Sequence, residues 1–203
     1  MMDCVDVLTE EDDDHDDDHG HSHEEGKIAY DEHVWTSPKN TILILDAVAT
    51  AFSELDGNNI DVYEKNAKAY RDEIEQLDGE FRDFFGQFET PTLVFGDRFP
   101  LRYFADEYGI DYYSAFAGCS GESEPSAQVM ATLIDKVKSE NIPAVFYIEL
   151  SNHKVADSIA EATGARAVLF NTCHNVTSAQ FEEDVTYLSL MKDNLKTLKE
   201  VLG

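Results

Sequence analysis

Ala144-Val145-Phe146-Tyr147-Ile148, followed at once by Glu149, is an unbroken apolar run bounded by Pro143 and an acid. So short a run, apolar at every position and rich in branched and aromatic side chains, reads as a strand buried on both faces, the kind parallel sheets use. A second apolar run, Thr92–Phe95, stands upstream of it and a third, Ala167–Phe170, downstream. Around them the period lengthens. Pro100–Tyr108 (stopped by Gly109), Pro125–Glu140, His153–Thr163 (ended by Gly164) and Ser178–Leu202 read as helices, and Asp111–Ala115 as a fourth strand. Strands alternating with helices imply βαβ crossovers. The expected fold class is α/β: a Rossmann-like lobe over residues 91–203, with a parallel four-stranded sheet covered by helices.

Residues 37–90 read as a helical region. Ser37 supplies an N-cap and Pro38 the first helical position. Ile42, Leu45, Val48, Ala49 and Phe52 then recur at helical spacing until Gly57-Asn58-Asn59. A longer helix is expected from Asp61 to Phe85, with Tyr63, Ala67, Tyr70, Ile74, Leu77, Phe81 and Phe84 or Phe85 on one face and charges on the other.

Residues 1–36 look like no lobe. Between Glu10 and Glu25, ten of sixteen residues are carboxylates, four are histidines and none is apolar. Such a stretch repels itself and buries nothing, so a disordered loop is expected. Without those ten charges the net charge of −27 still leaves −17 on the rest of the 203 residues. That balance disfavours nucleic acid and anionic membrane surfaces and favours cations. At 42% apolar the chain can bury a core, yet no run of 18 apolar residues exists to insert into a membrane. Met1-Met2-Asp3-Cys4-Val5-Asp6 has neither the basic segment nor the apolar core of a signal peptide. Three cysteines, Cys4, Cys119 and Cys173, are too few for a disulfide scaffold. A Cys119–Cys173 bridge and two separate thiols both remain open.

Histidines and carboxylates mark candidate metal sites. His15, His19, His21 and His23 can present two or three imidazoles to one divalent cation, as a weak, exchangeable binder. His33, in Asp31-Glu32-His33-Val34-Trp35-Thr36-Ser37-Pro38, sits at a junction fixed by the following cap, with carboxylates near enough to orient its ring; it is otherwise a surface histidine. Asp97 follows the first strand of the lobe, where parallel sheets place ligands, and is a metal ligand, a helix cap or a partner for Arg98. Cys173 and His174, after the last strand, are both competent zinc ligands, but neighbours in sequence point apart, so only one would reach an ion. Glu149 ends its strand at the same edge, either as a ligand or as a group that orients one.

An acidic His-rich loop, then His-x-Trp-x-Ser-Pro, a long helix and an α/β lobe resembles the zinc-binding solute-binding proteins of ABC importers, the cluster A-I or cluster 9 metal receptors. The resemblance implies the C-terminal lobe of a bilobal receptor in which two lobes, joined by a long backbone helix, hold a metal at their interface. It carries one ligand onto His33. It places a second in a strand-end motif that usually reads His-Asp-Ala-Tyr/Phe-Gly-Tyr-Phe. Here the segment runs Gly96-Asp97-Arg98-Phe99-Pro100-Leu101-Arg102-Tyr103-Phe104, with no histidine and one more residue before Tyr103. Asp97 takes the place, as a carboxylate does in manganese-type relatives. The family's Asp or Glu after the final strand becomes His174. The site implied is His33, Asp97 and His174, holding Zn(2+) or alternatively Mn(2+), with an importer permease in the membrane as partner and an extracytoplasmic location. The family's first histidine belongs to an N-terminal lobe that this sequence does not contain, so a fragment is expected.

Two other readings stand beside the receptor. One is a non-specific metal buffer working through the tract at 10–25 alone. The other is a zinc-dependent hydrolase, although no His-Glu-x-x-His, Gly-x-Ser-x-Gly or phosphate loop occurs; the chain is expected not to be an enzyme.

Overall fold

Alternation within the strands sorts the core into two layers. The computed structural model describes residues 1–9, 30–116 and 124–203. Its strands β1 (Thr92–Phe95), β2 (Asp111–Ser114), β3 (Ala144–Ile148) and β4 (Arg166–Phe170) form one parallel sheet in the order β2-β1-β3-β4. Side chains leave a strand on alternate faces. Leu93, Phe95, Ala144, Phe146 and Phe170 therefore enter one hydrophobic cluster, and Val94 and Val145 the other. Helices cover both faces, as expected. The first cluster is completed by α2 (Ile60–Phe85), α3 (Arg102–Tyr108) and α7 (Tyr187–Leu202), the second by α4 (Ala127–Ser139) and α5 (Lys154–Thr163).

Helix α2 is buried only in its second half, through Ile74, Leu77, Phe81, Phe84 and Phe85. Phe81 stands edge-on to Phe104 at 5.1 Å, and Tyr108 of α3 donates its hydroxyl to Asp78 at 2.8 Å. The first half packs instead on α1 (Pro38–Leu55), through the Phe52–Tyr63 ring pair and an Arg71–Asp46 ion pair. Ser37 caps α1 as its sequence predicts, its hydroxyl accepting the Asn40 N–H at 3.2 Å. Leu43, Val48, Phe52 and Leu55 of α1 remain exposed. Among the described residues, no helix is long and apolar enough to cross a membrane.

The C-terminal segment departs from expectation. In place of one helix over Ser178–Leu202 there are two, α6 (Ser178–Glu182) and α7. Asp184 between them adopts φ 53°, and Thr186 starts α7 with a capping box, exchanging hydrogen bonds with Ser189. Short polar side chains that satisfy backbone groups locally break a helix even where the apolar period runs on. The other boundaries move by one or two residues; α3, for example, begins at Arg102 rather than Pro100.

Gly96 allows β1 to end where it does. A Cβ there would lie 2.4 Å from the Ala156 Cα and 2.5 Å from its nitrogen, so α5 passes directly over the strand end. Since backbone cannot yield as a side-chain tip does, Gly96→Ala is expected to destabilise the fold by about 1–3 kcal/mol. A urea melt of the variant against the parent chain measures this.

Candidate functional site

Because β1, β3 and β4 run parallel, the residues after them share one edge of the sheet: Gly96-Asp97, Glu149 and residues 171–175. The turn Val34–Thr36 meets them from the N-terminal side. The Trp35 indole N–H donates to the Thr172 carbonyl at 3.1 Å, joining positions 137 residues apart.

His33 is buried in this junction, 5% exposed. Its Nδ1 lies 2.8 Å from Asp31 Oδ1, and its backbone N–H donates to the same oxygen at 2.8 Å. Burial would raise the Asp31 pKa, but the hydrogen bonds from the His33 ring and backbone prevail, so the carboxyl is held below its ordinary value. The main chain of Asp31 is fixed as well. Its N–H donates to the Leu8 carbonyl at 2.9 Å, and its carbonyl accepts the Tyr103 hydroxyl at 2.7 Å. Tyr103 also accepts the Leu8 N–H, Arg102 donates to the Thr9 carbonyl at 2.7 Å, and Thr9 and Tyr30 form an antiparallel bridge. Both flanks of residues 10–29 are thus fastened to the start of α3.

His174 is exposed on the loop after β4. Its ring stands edge-on to that of His33, centroids 5.7 Å apart, and Trp35 lies 5.5 Å from each. The structure therefore brings two of the expected ligands together around an indole. Asp97, at the neighbouring strand end, is 5% exposed; its Oδ1 accepts the Arg98 N–H at 2.8 Å. Its Oδ2 is buried with no hydrogen-bond partner among the described residues, a costly state for a carboxylate oxygen that a cation relieves. Among the described residues, no three His, Cys, Asp or Glu side chains converge into a ready-made metal cage. His33 and His174 are in ring contact and Asp97 stands at a neighbouring strand end, and the three do not form a closed set.

The remaining candidates have other surroundings. Glu149 accepts hydrogen bonds from the 172–175 segment. Cys173 is half-buried against the core while His174 faces outward, as adjacent residues should diverge. Burial, with Glu149 nearby, pushes its thiol up to about 12, so it is protonated at neutral pH. Among the described residues, Cys4 and Cys173 are free thiols. Cys119, and with it the alternative of a bridge, lies outside the described residues, as do His15, His19, His21 and His23.

Asn194 escaped the sequence reading. It is fully buried on α7, where its Oδ1 accepts the Asn171 N–H and its Nδ2 donates to the Asn171 carbonyl, both at 2.7 Å. A polar residue in register with Met191, Leu195 and Leu198 was the available signal.

The chain is 30% identical over 174 residues to the high-affinity zinc uptake system protein ZnuA of Bacillus subtilis (strain 168), an alignment spanning 86% of this chain and 54% of that relative. It therefore covers about half the relative's length. Among solved structures, the metal-dependent lipoprotein YcdH from Bacillus subtilis matches with a TM-score of 0.72 at 29% identity, over 85% of this chain and 64% of that one. The Zn(II)-bound ZnuA-like domain of Streptococcus pneumoniae AdcA matches at 0.70 and 27% identity, again over 85% and 64%. The same fold recurs in both. The model of the family described as zinc-uptake complex component A, periplasmic, matches residues 2–201, and the chain belongs to that family, ZnuA.

Proposed function

We propose that this chain is the metal-holding part of a zinc receptor, which captures Zn(2+) outside the cytoplasm and releases it to the permease of an ABC importer. The observation that carries the reading is the His33–His174 pair, two imidazoles from opposite ends of the sequence with centroids 5.7 Å apart. Imidazole and carboxylate suit zinc, which takes four ligands in most protein sites. Asp31 engages Nδ1 of His33, which makes Nε2 the ligand nitrogen and fixes the ring's attitude. Asp97 is the third ligand, its buried Oδ2 being the oxygen that gains most from a cation. Residues 91–203 form the metal lobe and 37–90 the helical region beside it. The role needs selective holding and release: coordination bonds to the ion form and break, and no covalent chemistry is performed. Family membership and the names of the relatives, a zinc uptake protein and a Zn(II)-bound domain, favour zinc over manganese.

Calorimetric zinc titration of the 203-residue chain tests this. One tight site is expected, weakened at least tenfold, about 1.4 kcal/mol, by either His33→Ala or His174→Ala, and also by Asp97→Ala. Deleting residues 10–25 should leave that site in place; loss of all zinc binding on deletion would make the chain a buffer acting through its tract. Asp31→Asn, which keeps the shape but removes the charge that orients His33, is expected to lower zinc affinity by about 10-fold or more. Unchanged affinity in that variant would separate His33 from the metal.

A further inference from the structure

We infer that Glu149 is a positioning residue, whose carboxylate gathers the loop after β4 and so presents the His174 imidazole to the metal. The inference rests on the zinc reading above. Four donors converge on this side chain. Oε2 accepts the Thr172 N–H at 2.8 Å. Oε1 accepts the Thr172 hydroxyl at 2.6 Å, the His174 N–H at 2.9 Å and the Asn175 N–H at 3.2 Å. Three of the donors fall on Oε1 and one on Oε2, so the loop holds the side chain through both oxygens and Glu149 supports the segment that carries the ligand.

The backbone on both sides is bent to make those bonds. Leu150, directly after Glu149, has φ 60°, and Cys173, directly before His174, has φ 59°. Neither is a residue that adopts left-handed conformations readily, and such residues persist where surrounding contacts hold them. The turn at Cys173 sends its own side chain toward the core and the N–H of His174 back to Glu149. On the far side of the loop, Asn194 clamps both backbone groups of Asn171 independently. Loss of Glu149 would therefore loosen residues 173–175 while Asn194 still holds the end of β4 and Trp35 the Thr172 carbonyl.

An amide cannot replace the acid. Glutamine has one acceptor oxygen, and its NH₂ would meet an N–H donor in either orientation. Glu149→Gln should thus act on zinc through His174, and a double-variant cycle separates this from general damage or from loss of one negative charge. Zinc affinity is measured by competition with a chromophoric chelator in the parent chain, Glu149→Gln, His174→Ala and the double variant. The expected result is at least a tenfold loss from Glu149→Gln in the parent and less than a twofold loss in the His174→Ala background. The visible spectrum of Co(2+) bound in place of zinc should also change with Glu149→Gln.

Equal losses in both backgrounds, or no loss in the parent, would overturn the inference while leaving the zinc site standing. Parental affinity in His174→Ala alone would overturn the zinc reading and this inference together. If Glu149→Gln does not fold, Thr172→Val deletes only the hydroxyl donor at 2.6 Å. The same cycle should then show about a threefold loss confined to the His174-containing background, and a loss of equal size in both backgrounds refutes the inference.

Discussion

The hydrogen bond from the Trp35 indole to the Thr172 carbonyl joins the turn before α1 to the loop after β4, and the candidate site exists because those segments meet. Each partner is braced from within. Thr36 donates its hydroxyl to the His33 carbonyl and Thr41 donates to the Trp35 carbonyl, both at 2.8 Å, so the turn is fixed to α1 before it touches the lobe. On the other side, Asn194 fixes the strand end that precedes Thr172. The indole thereby joins two braced segments, and the two imidazoles flank it.

Negative charge is abundant in this molecule, and at the sheet edge it is ordered. Two carboxylates there accept from protein donors, Asp31 from the ring and backbone of His33 and Glu149 from the loop that carries His174. Asp97 differs in keeping one oxygen buried and unpartnered among the described residues. Among the described residues, a buried carboxylate oxygen left without a partner is where positive charge gains most. The far larger acidity of the whole chain raises the local concentration of cations without choosing among them.

Much of this was legible in the residues, and the remainder has physical reasons for being hidden. Ala144–Ile148 falls on the bounds of β3 because a strand buried on both faces leaves no polar position to blur its ends. Ser37-Pro38 and the glycines at 109 and 164 mark helix termini by local backbone chemistry, which needs no tertiary context. The break at Asp184–Thr186 was not visible, since Phe181 and Val185 continue the helical period through it and the competing cap is a matter of two short side chains. The four-donor coordination of Glu149 was equally hidden. Position at a strand end announced an acid of consequence, but whether it would hold a metal or a loop depended on a turn 23 residues later. His33 and His174 were each legible as candidates from their positions, but only the resemblance put them in one site, since nothing local to His33 shows that its turn meets the loop after β4.

The clasp at Thr9, Tyr30, Arg102 and Tyr103 has an entropic consequence. By bringing residues 9 and 30 side by side, it closes the intervening twenty positions into a ring whose ends no longer depend on what lies between them. Closure entropy grows only logarithmically with contour length, about 0.6 kcal/mol for each doubling. Insertions or deletions of histidines and acids inside the ring therefore leave the ring's anchors, and the register of His33 beyond them, almost undisturbed. A change in the length of the tract thus costs the folded lobe little stability.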